Sequence, residues 1–398
     1  MNIDLKIYNI LLNIYLKYII INIIIFINFY STFKIKYFIS ELNNTNNLIR
    51  KINDFIIICK KGVLINDSFN SSLIPKITAI VILYNSESSI RTAIRSIQNQ
   101  NMVDIEIIII DDNSSDNSLK IIEKLEIQDR RIQLIKNKEN RGSLYSRSIG
   151  AFVAKGKYTM ALDSDDLFIS ENLFNICYKE VEENNLDILE FSGFQVQKYI
   201  LRLNTQLPEI AHYLKFKVNN LYLKQPELFD FLYLKNGSKI IRRVDGYMWG
   251  KCLKSEIYVK ALNILGEKVY KRNHNFGEDR IVNFVLFRIA ESFKYIEEYG
   301  ILYYNNSLSV CNSYKKELLA NDELFNIMNI INFTKNTSYL SIAAYEIKHR
   351  WKHIIKPGLN EENKKILKNI INLLLISKTI KKIDKYKLNK YLDELQVL

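Results

Sequence analysis

ITAIVILYNSESSIRTAIRSIQNQ, residues 77–100, changes its repeat partway along. Residues 77–83 are an apolar run of strand length, rich in Ile and Val, which predicts a strand buried on both faces. After Tyr84-Asn85-Ser86, apolar residues fall at Ile90, Ala93, Ile94 and Ile97. That spacing marks one face of a helix, with Ser88 available as its cap. The pairing then recurs. IEIIII (105–110), RIQLIK (131–136) and KYTMAL (157–162) read as strands, whereas NSLKIIEKLEIQ (117–128), SLYSRSIGAFVAK (143–155) and ENLFNICYKEVEE (171–183) read as helices. Four alternations predict an α/β fold with a mostly parallel sheet and flanking helices. One more strand is expected at 187–194 and a helix at 278–291. Residues 311–398 read as a helical, basic extension interrupted at Pro357-Gly358.

The chain has 398 residues, 48% of them hydrophobic, enough for a substantial core. Only 4 Pro and 12 Gly argue against long disordered linkers. The formal charge of +13 is concentrated late: from Lys348 onward, thirteen Lys and Arg face five acids. Those lysines alternate with Ile and Leu at helical spacing, as in NKKILKNIINLLL, so they read as the wet faces of helices. No aromatic-basic interleaving accompanies them, and nucleic acid is not an expected partner. Cys59, Cys177, Cys252 and Cys311 are far apart and read as buried free thiols.

Near the N-terminus, YIIINIIIFINFYSTF (18–33) carries no charge and is bracketed by Lys17 and Lys34. It is slightly short of the roughly 20 residues of a typical span, but lysines at both ends can snorkel. Residues 1–40 are therefore expected to be an uncleaved, single-pass membrane anchor; a buried hydrophobic helix is the competing reading. Residues 41–75, rich in Asn and Ser, read as a stem, and residues 76–310 as the main domain.

The chemistry lies where the strands stop. The first ends on Tyr84-Asn85-Ser86, the second on DDNSSD (111–116), the fourth on DSDD (163–166). In a parallel sheet these carboxyl ends share one edge, the usual ligand edge of open α/β sheets. Converging carboxylates without His or Cys suit Mg²⁺ or Mn²⁺, with substrate phosphates completing the coordination. There is no GxxxxGK[ST] loop. The bland alternative for DSDD is a solvated strand-to-helix turn, and for Asp112 an Asx turn.

These motifs, in this order and spacing, resemble family 2 glycosyltransferases of the GT-A fold, whose Rossmann-like sheet matches the pattern above. The resemblance runs from 77 to about 195 and continues through GYMWGKCLKSEIY (246–258) and FGEDR (276–280). It implies that Leu83, Tyr84 and Asn85 line the nucleotide pocket and that Asp112 accepts a hydrogen bond from uracil. Asp163 and Asp165 would be the DxD pair, Asp165 binding Mn²⁺ or Mg²⁺ directly and Asp163 lying nearer the ribose or a metal-bound water. Arg147 would lie near the nucleotide, Asp279 would be the catalytic base and Trp249 would face acceptor or sugar. An Asp at a helix start also stabilises that terminus without chemistry, and Glu278 competes for the role of base. Asp116 reads as a helix cap.

The implied activity is inverting, metal-dependent transfer from a UDP-sugar to an acceptor hydroxyl. Ile82 stands where relatives carry proline, and YYNNSLS (303–309) lacks their arginine. Arg350-Trp351 lacks the glutamine of the processive synthases, Ile347 standing in its place. A catalytically silent relative that binds nucleotide-sugar or acts as a scaffold is the alternative.

Overall fold

The computed structural model describes residues 74–197, 210–214, 221–225, 227–228, 233–236, 239–242, 247–273, 276–305, 316–335, 337–355, 359–377, 380 and 382–397. The anchor expected at 1–40, nearly all of the stem, Cys59 and Cys311 lie outside these residues. Cys177 and Cys252 are free and buried.

The first half follows the predicted alternation: β1 (Ile77–Leu83), α1 (Ile90–Gln98), β2 (Ile105–Asp111), α2 (Ser118–Gln128), β3 (Ile132–Lys136), α3 (Ser143–Val153) and β4 (Tyr158–Asp163). Ser89, rather than Ser88, stands at the start of α1, and its side chain caps no amide. After the short β5 (Leu167–Phe168) come α4 (Leu173–Glu183) and β6 (Ile188–Gln197). Four further short strands follow, β7 (Ile210–Leu214), β8 (Tyr222–Lys224), β9 (Tyr233–Asn236) and β10 (Lys239–Arg242). β11 (Lys251–Lys254), α5 (Ser255–Leu265), α6 (Glu267–Tyr270), α7 (Glu278–Ile289) and the long β12 (Ser292–Asn305) complete the α/β part. The C-terminal helices are α8 (Lys316–Thr334), α9 (Ser341–Ile355), α10 (Glu361–Ile376) and α11 (Lys382–Val397).

Strands β3-β2-β1-β4 lie side by side and all parallel. Beyond β4 the sheet becomes mixed: β11 runs antiparallel to both β4 and β6, and β12 is parallel to β6. β9 and β10 form a separate ribbon.

The apolar runs of β1 and β2 are explained by burial on both sides. Ile80, Ile108 and Ile110 point into one core with α3, α5 and α7, while Ala79, Val81, Ile107 and Ile109 point into the other with α1, α2 and α4. The C-terminal helices contribute to the first core through Leu324, Ile347, Leu367 and Leu388, so they cover the same face as α7. Within them, Trp351 stacks on Tyr391 with ring centroids 4.1 Å apart and donates Nε1–H to Glu394. Trp351 is thus a packing residue here. Among the described residues, no helix is long and apolar enough to cross a membrane.

Candidate active site

Register fixes the rim. Leu83 pairs with Asp111 across β1 and β2, and Ile82 with Asp163 across β1 and β4, so the three strands stop together. The loops that follow are cross-linked. Asn85, held at φ 47°, donates its N–H to Ser114 Oγ at 3.0 Å and accepts at Oδ1 from Ser115 N–H at 2.8 Å. Ser86 Oγ and Ser164 Oγ share a hydrogen bond of 2.7 Å, tying the exit of β1 to the acidic turn after β4. Asp116 does not cap α2 as expected: Asn117 holds the cap position, and Asp116 instead accepts Ser118 N–H at 2.9 Å and Glu87 N–H at 3.0 Å, which ties the loop before the helix to the one after β1.

Arg147 is the centre of the site. It lies on α3, and Gly150 lets that helix sit directly on the sheet: a Cβ there would come within 2.5 Å of Ile80 Cγ2. The Arg147 guanidinium donates from Nη2 to Asp163 Oδ1 at 2.8 Å, and from Nη1 to Glu278 Oε1 at 2.9 Å and Asp279 Oδ1 at 2.6 Å. One buried cation therefore joins the end of β4 to the beginning of α7. Burial works against the Arg147 charge, but the three carboxylates more than offset it and hold its pKa well above the ordinary value. One positive charge does not neutralise three negative ones. The Asp279 carboxyl is pushed up to about 7, first by burial and, against the pull of Arg147, by Glu278 and Asp163.

Glu278 and Asp279 differ in what remains available. Glu278 Oε1 also accepts from Ser143 Oγ, and its side chain is 8% exposed. Asp279 is 16% exposed, and its Oδ2 takes a long 3.2 Å bond from Met248 N–H. Ser143 precedes Arg147 by one helical turn, a spacing that could have revealed it from sequence. The Met248 amide carries no such signal, since any residue type supplies a backbone N–H.

The acidic turn holds a second imbalance. Burial and the neighbouring Asp163 push the Asp165 carboxyl up to about 7. Asp166 is buried; its Oδ1 accepts from Tyr304 N–H at 2.8 Å, while Oδ2 is buried with no hydrogen-bond partner. An all-oxygen set carrying uncompensated negative charge fits a hard divalent cation. Among the described residues, no three His, Cys, Asp or Glu side chains are gathered closely enough to hold a metal by themselves. A cation at this rim would therefore meet at most two such side chains.

Asp112 is largely occupied from within. Its Oδ1 accepts from Asn137 Nδ2 at 2.7 Å and Arg141 N–H at 2.8 Å, and its Oδ2 from Gly142 N–H at 2.8 Å. Of roughly four lone-pair sites on a carboxylate, three are used, so Asp112 shapes the loop entering α3. Leu83 is buried and its carbonyl accepts Asp112 N–H at 2.8 Å, whereas the Tyr84 side chain is exposed at the rim. Trp249 is only 6% exposed, in a three-ring cluster with Tyr247 at 4.5 Å and Tyr303 at 5.3 Å, the two tyrosines lying 6.0 Å from each other. The open ring of that stack is Tyr247, which sequence reading passed over and which is 37% exposed. Lys251 Nζ and Asn283 Nδ2 both donate to the Tyr247 carbonyl, at 2.6 and 3.1 Å, fixing the stack beside Asp279.

Comparison with known proteins bears on the family and the fold. The chain is 31% identical over 238 residues to an uncharacterized glycosyltransferase, EpsJ, of Bacillus subtilis, a match covering 60% of this chain and 63% of that one. The shared stretch thus spans less than two thirds of that relative. It is 30% identical over 203 residues to the UDP-Glc:alpha-D-GlcNAc-diphosphoundecaprenol beta-1,3-glucosyltransferase WfaP of Escherichia coli, covering 50% of this chain and 74% of the relative. Among solved structures, that of S. aureus TarS 1-349 in complex with UDP superposes with a TM-score of 0.54 at 14% identity, over 81% of this chain and 88% of TarS. That likeness extends the GT-A-like fold through most of the molecule. Residues 78–232 match the family model described as glycosyl transferase family 2, and the chain belongs to that family.

Proposed function

We propose that the protein is a metal-dependent, inverting glycosyltransferase that moves a sugar from a UDP-sugar to an acceptor hydroxyl. The observation that carries this reading is the Arg147 guanidinium, which gathers Asp163 from the sheet rim and Glu278 and Asp279 from α7 into one buried cluster. Donor-binding and proton-accepting groups are thereby coupled through a single side chain. Asp279 serves as the base, because it is the more open of the two α7 carboxylates and its carboxyl is pushed up to about 7. A base is most effective when its pKa lies near the working pH. It takes the acceptor proton as that oxygen attacks the anomeric carbon from the face opposite the departing diphosphate, which inverts the configuration.

Asp165, with Asp163 beside it, would hold Mn²⁺ or Mg²⁺, which when bound offsets the charge of the diphosphate leaving group. Arg147 keeps Asp163 and Asp279 at fixed separation. The backbone of Leu83, Tyr84 and Asn85 lines the nucleotide pocket, and Asp112 offers its remaining acceptor site to uracil. The UDP bound in the TarS structure and the UDP-Glc in the name of the E. coli relative support UDP as the carrier. The uncharged stretch at 18–33 supports a single-pass membrane attachment.

The test is UDP release from a panel of UDP-sugars, with Mn²⁺ and with chelator. Asp279→Asn is expected to lower kcat about 10²–10⁴-fold with UDP binding retained. Asp165→Asn is expected to reduce both turnover and metal-dependent UDP binding. Nucleotide binding without metal-dependent release, for every sugar and acceptor tried, would leave the silent relative as the correct account.

A further inference from the structure

The residue after Asp279 points away from the rim. Arg280 is buried, and its Nη2 lies 2.5 Å from Glu323 Oε2 on α8, its Nη1 3.7 Å from Glu346 Oε2 on α9. The Glu323 side chain is 0% exposed and also faces Arg350 Nε at 3.9 Å. Arg280 reaches this position by folding back over Gly277, which sits at φ +69°; a Cβ on Gly277 would collide with the guanidinium. The same helix α8 grips the chain on the other side of that glycine. Asn326 Nδ2 donates to the Phe276 carbonyl at 3.2 Å. Arg272 lies 4.1 Å above the Phe325 ring and 3.7 Å from Asp322 Oδ1. The turn that aims Glu278 and Asp279 at Arg147 is therefore fixed by side chains from the C-terminal helices.

Stability alone is a poor reason for this arrangement. Replacing a buried ion pair with apolar residues of similar volume is often neutral or stabilising. What ions supply here is direction: a guanidinium held by two fixed carboxylates defines both the axial position and the rotation of the first turn of α7, and Asp279 lies on that turn. We infer that Glu323 and Glu346 are positioning residues for the Asp279 carboxylate, acting through Arg280, so that the C-terminal helices are part of the catalytic apparatus. This rests on the reading of Asp279 as the base.

The experiment uses the full chain and compares wild type with Glu323→Leu, Glu323→Gln, Glu346→Gln and Asp279→Asn in Mn²⁺-dependent UDP release, with UDP affinity measured separately. Glu323→Leu is expected to lower kcat about 10–100-fold while donor KM and UDP affinity stay within about twofold, the cost of a small misplacement of a reacting group. Glu323→Gln, which keeps an acceptor for Arg280, is expected to recover most of that loss. Glu346→Gln, removing the longer contact, is expected to lower kcat by a smaller factor in a chain that still folds. If Asp279→Asn is inactive while both glutamate positions tolerate substitution with unchanged kcat, the positioning role is wrong. If Glu323→Leu does not fold and Glu346→Gln has wild-type kcat, it is likewise wrong. Should Asp279→Asn itself turn over normally, the assignment of the base fails instead, and the two failures are distinguishable.

Discussion

Asp165 is held in a place that opposes its own charge. Its carboxyl ordinarily titrates near 3.8 and is pushed up to about 7 by burial and by Asp163. The folded chain therefore binds that proton more tightly than the unfolded chain does. Stability then falls as pH rises from about 3.8, and the penalty is complete above about 7. Asparagine removes it. In chelator, Asp165→Asn is expected to be more stable than wild type at pH 8 by about 1–2 kcal/mol, with the difference disappearing towards pH 4. Denaturant unfolding at the two pH values checks both the size and the sign; a variant less stable than wild type at pH 8 would mean that the carboxylate is satisfied in the metal-free protein. At this scale, much of the site was legible. Asp163, Asp165, Arg147 and Asp279 stand in motifs whose order announces them, and the structure brings Arg147, Asp163 and Asp279 into direct contact. Less legible were the groups that use them up. The loop amides on Asp112 and the Met248 amide on Asp279 come from the backbone, and the shielding of Trp249 draws on Tyr303, which is distant in sequence.

Among the elements, α3 carries the strictest requirement. Gly in a helix interior normally costs about 1 kcal/mol relative to Ala, so Gly150→Ala would be stabilising on propensity alone. Packing reverses the sign. The added methyl would lie 2.5 Å from Ile80 Cγ2 and 2.9 Å from Ile110 Cδ1, both on buried strands. Ile80 Cγ2 is fixed to a branched β-carbon in a filled core, so the helix must lift. Gly150→Ala is expected to lose about 1–3 kcal/mol by overpacking. Because Arg147 sits one turn earlier, kcat should fall as well; thermal unfolding and UDP release measured on one preparation test the pair of effects. The elements legible in sequence were those with one clear period. β1 matches its predicted bounds and α1 buries its predicted apolar positions, because burial on two faces, or on one helical face, writes a plain pattern. β12 did not show itself: its pairing with β6 shifts register between Ile296 and Tyr299 and again before Ile301, and such bulges break the period-two alternation. The mixed half of the sheet was hidden for a related reason, since β11 is only four residues long.

Seen as a whole, the described chain has no seam where the basic helices begin. The expected boundary near residue 311 follows a change in composition, yet the core crosses it: Val285 and Phe284 of α7 share one cluster with Leu324 and Ile327 of α8, Ile347 and Trp351 of α9 and Leu367 and Leu374 of α10. Lysines alternate with the apolar side chains that these helices bury, and they carry much of the +13 charge. A chain ending after residue 335 would retain α8 but strip away the apolar side chains of α9 and α10 that pack on it, together with α11, which packs on those two helices. A contiguous apolar patch of more than a few hundred Å² is rarely tolerated on a soluble monomer. It would also remove Glu346 from Arg280, leaving that guanidinium with Glu323 and loosening the turn before α7. The truncated chain is therefore expected to aggregate or to unfold without a sharp transition, and to lose turnover even in its soluble fraction. A detachable extension would behave differently, giving a shortened protein with a cooperative melt and near-normal UDP release. Size-exclusion chromatography, thermal unfolding and UDP release on the truncated chain distinguish the two, and a monomeric, cooperative, active product would show that the fold closes before α9.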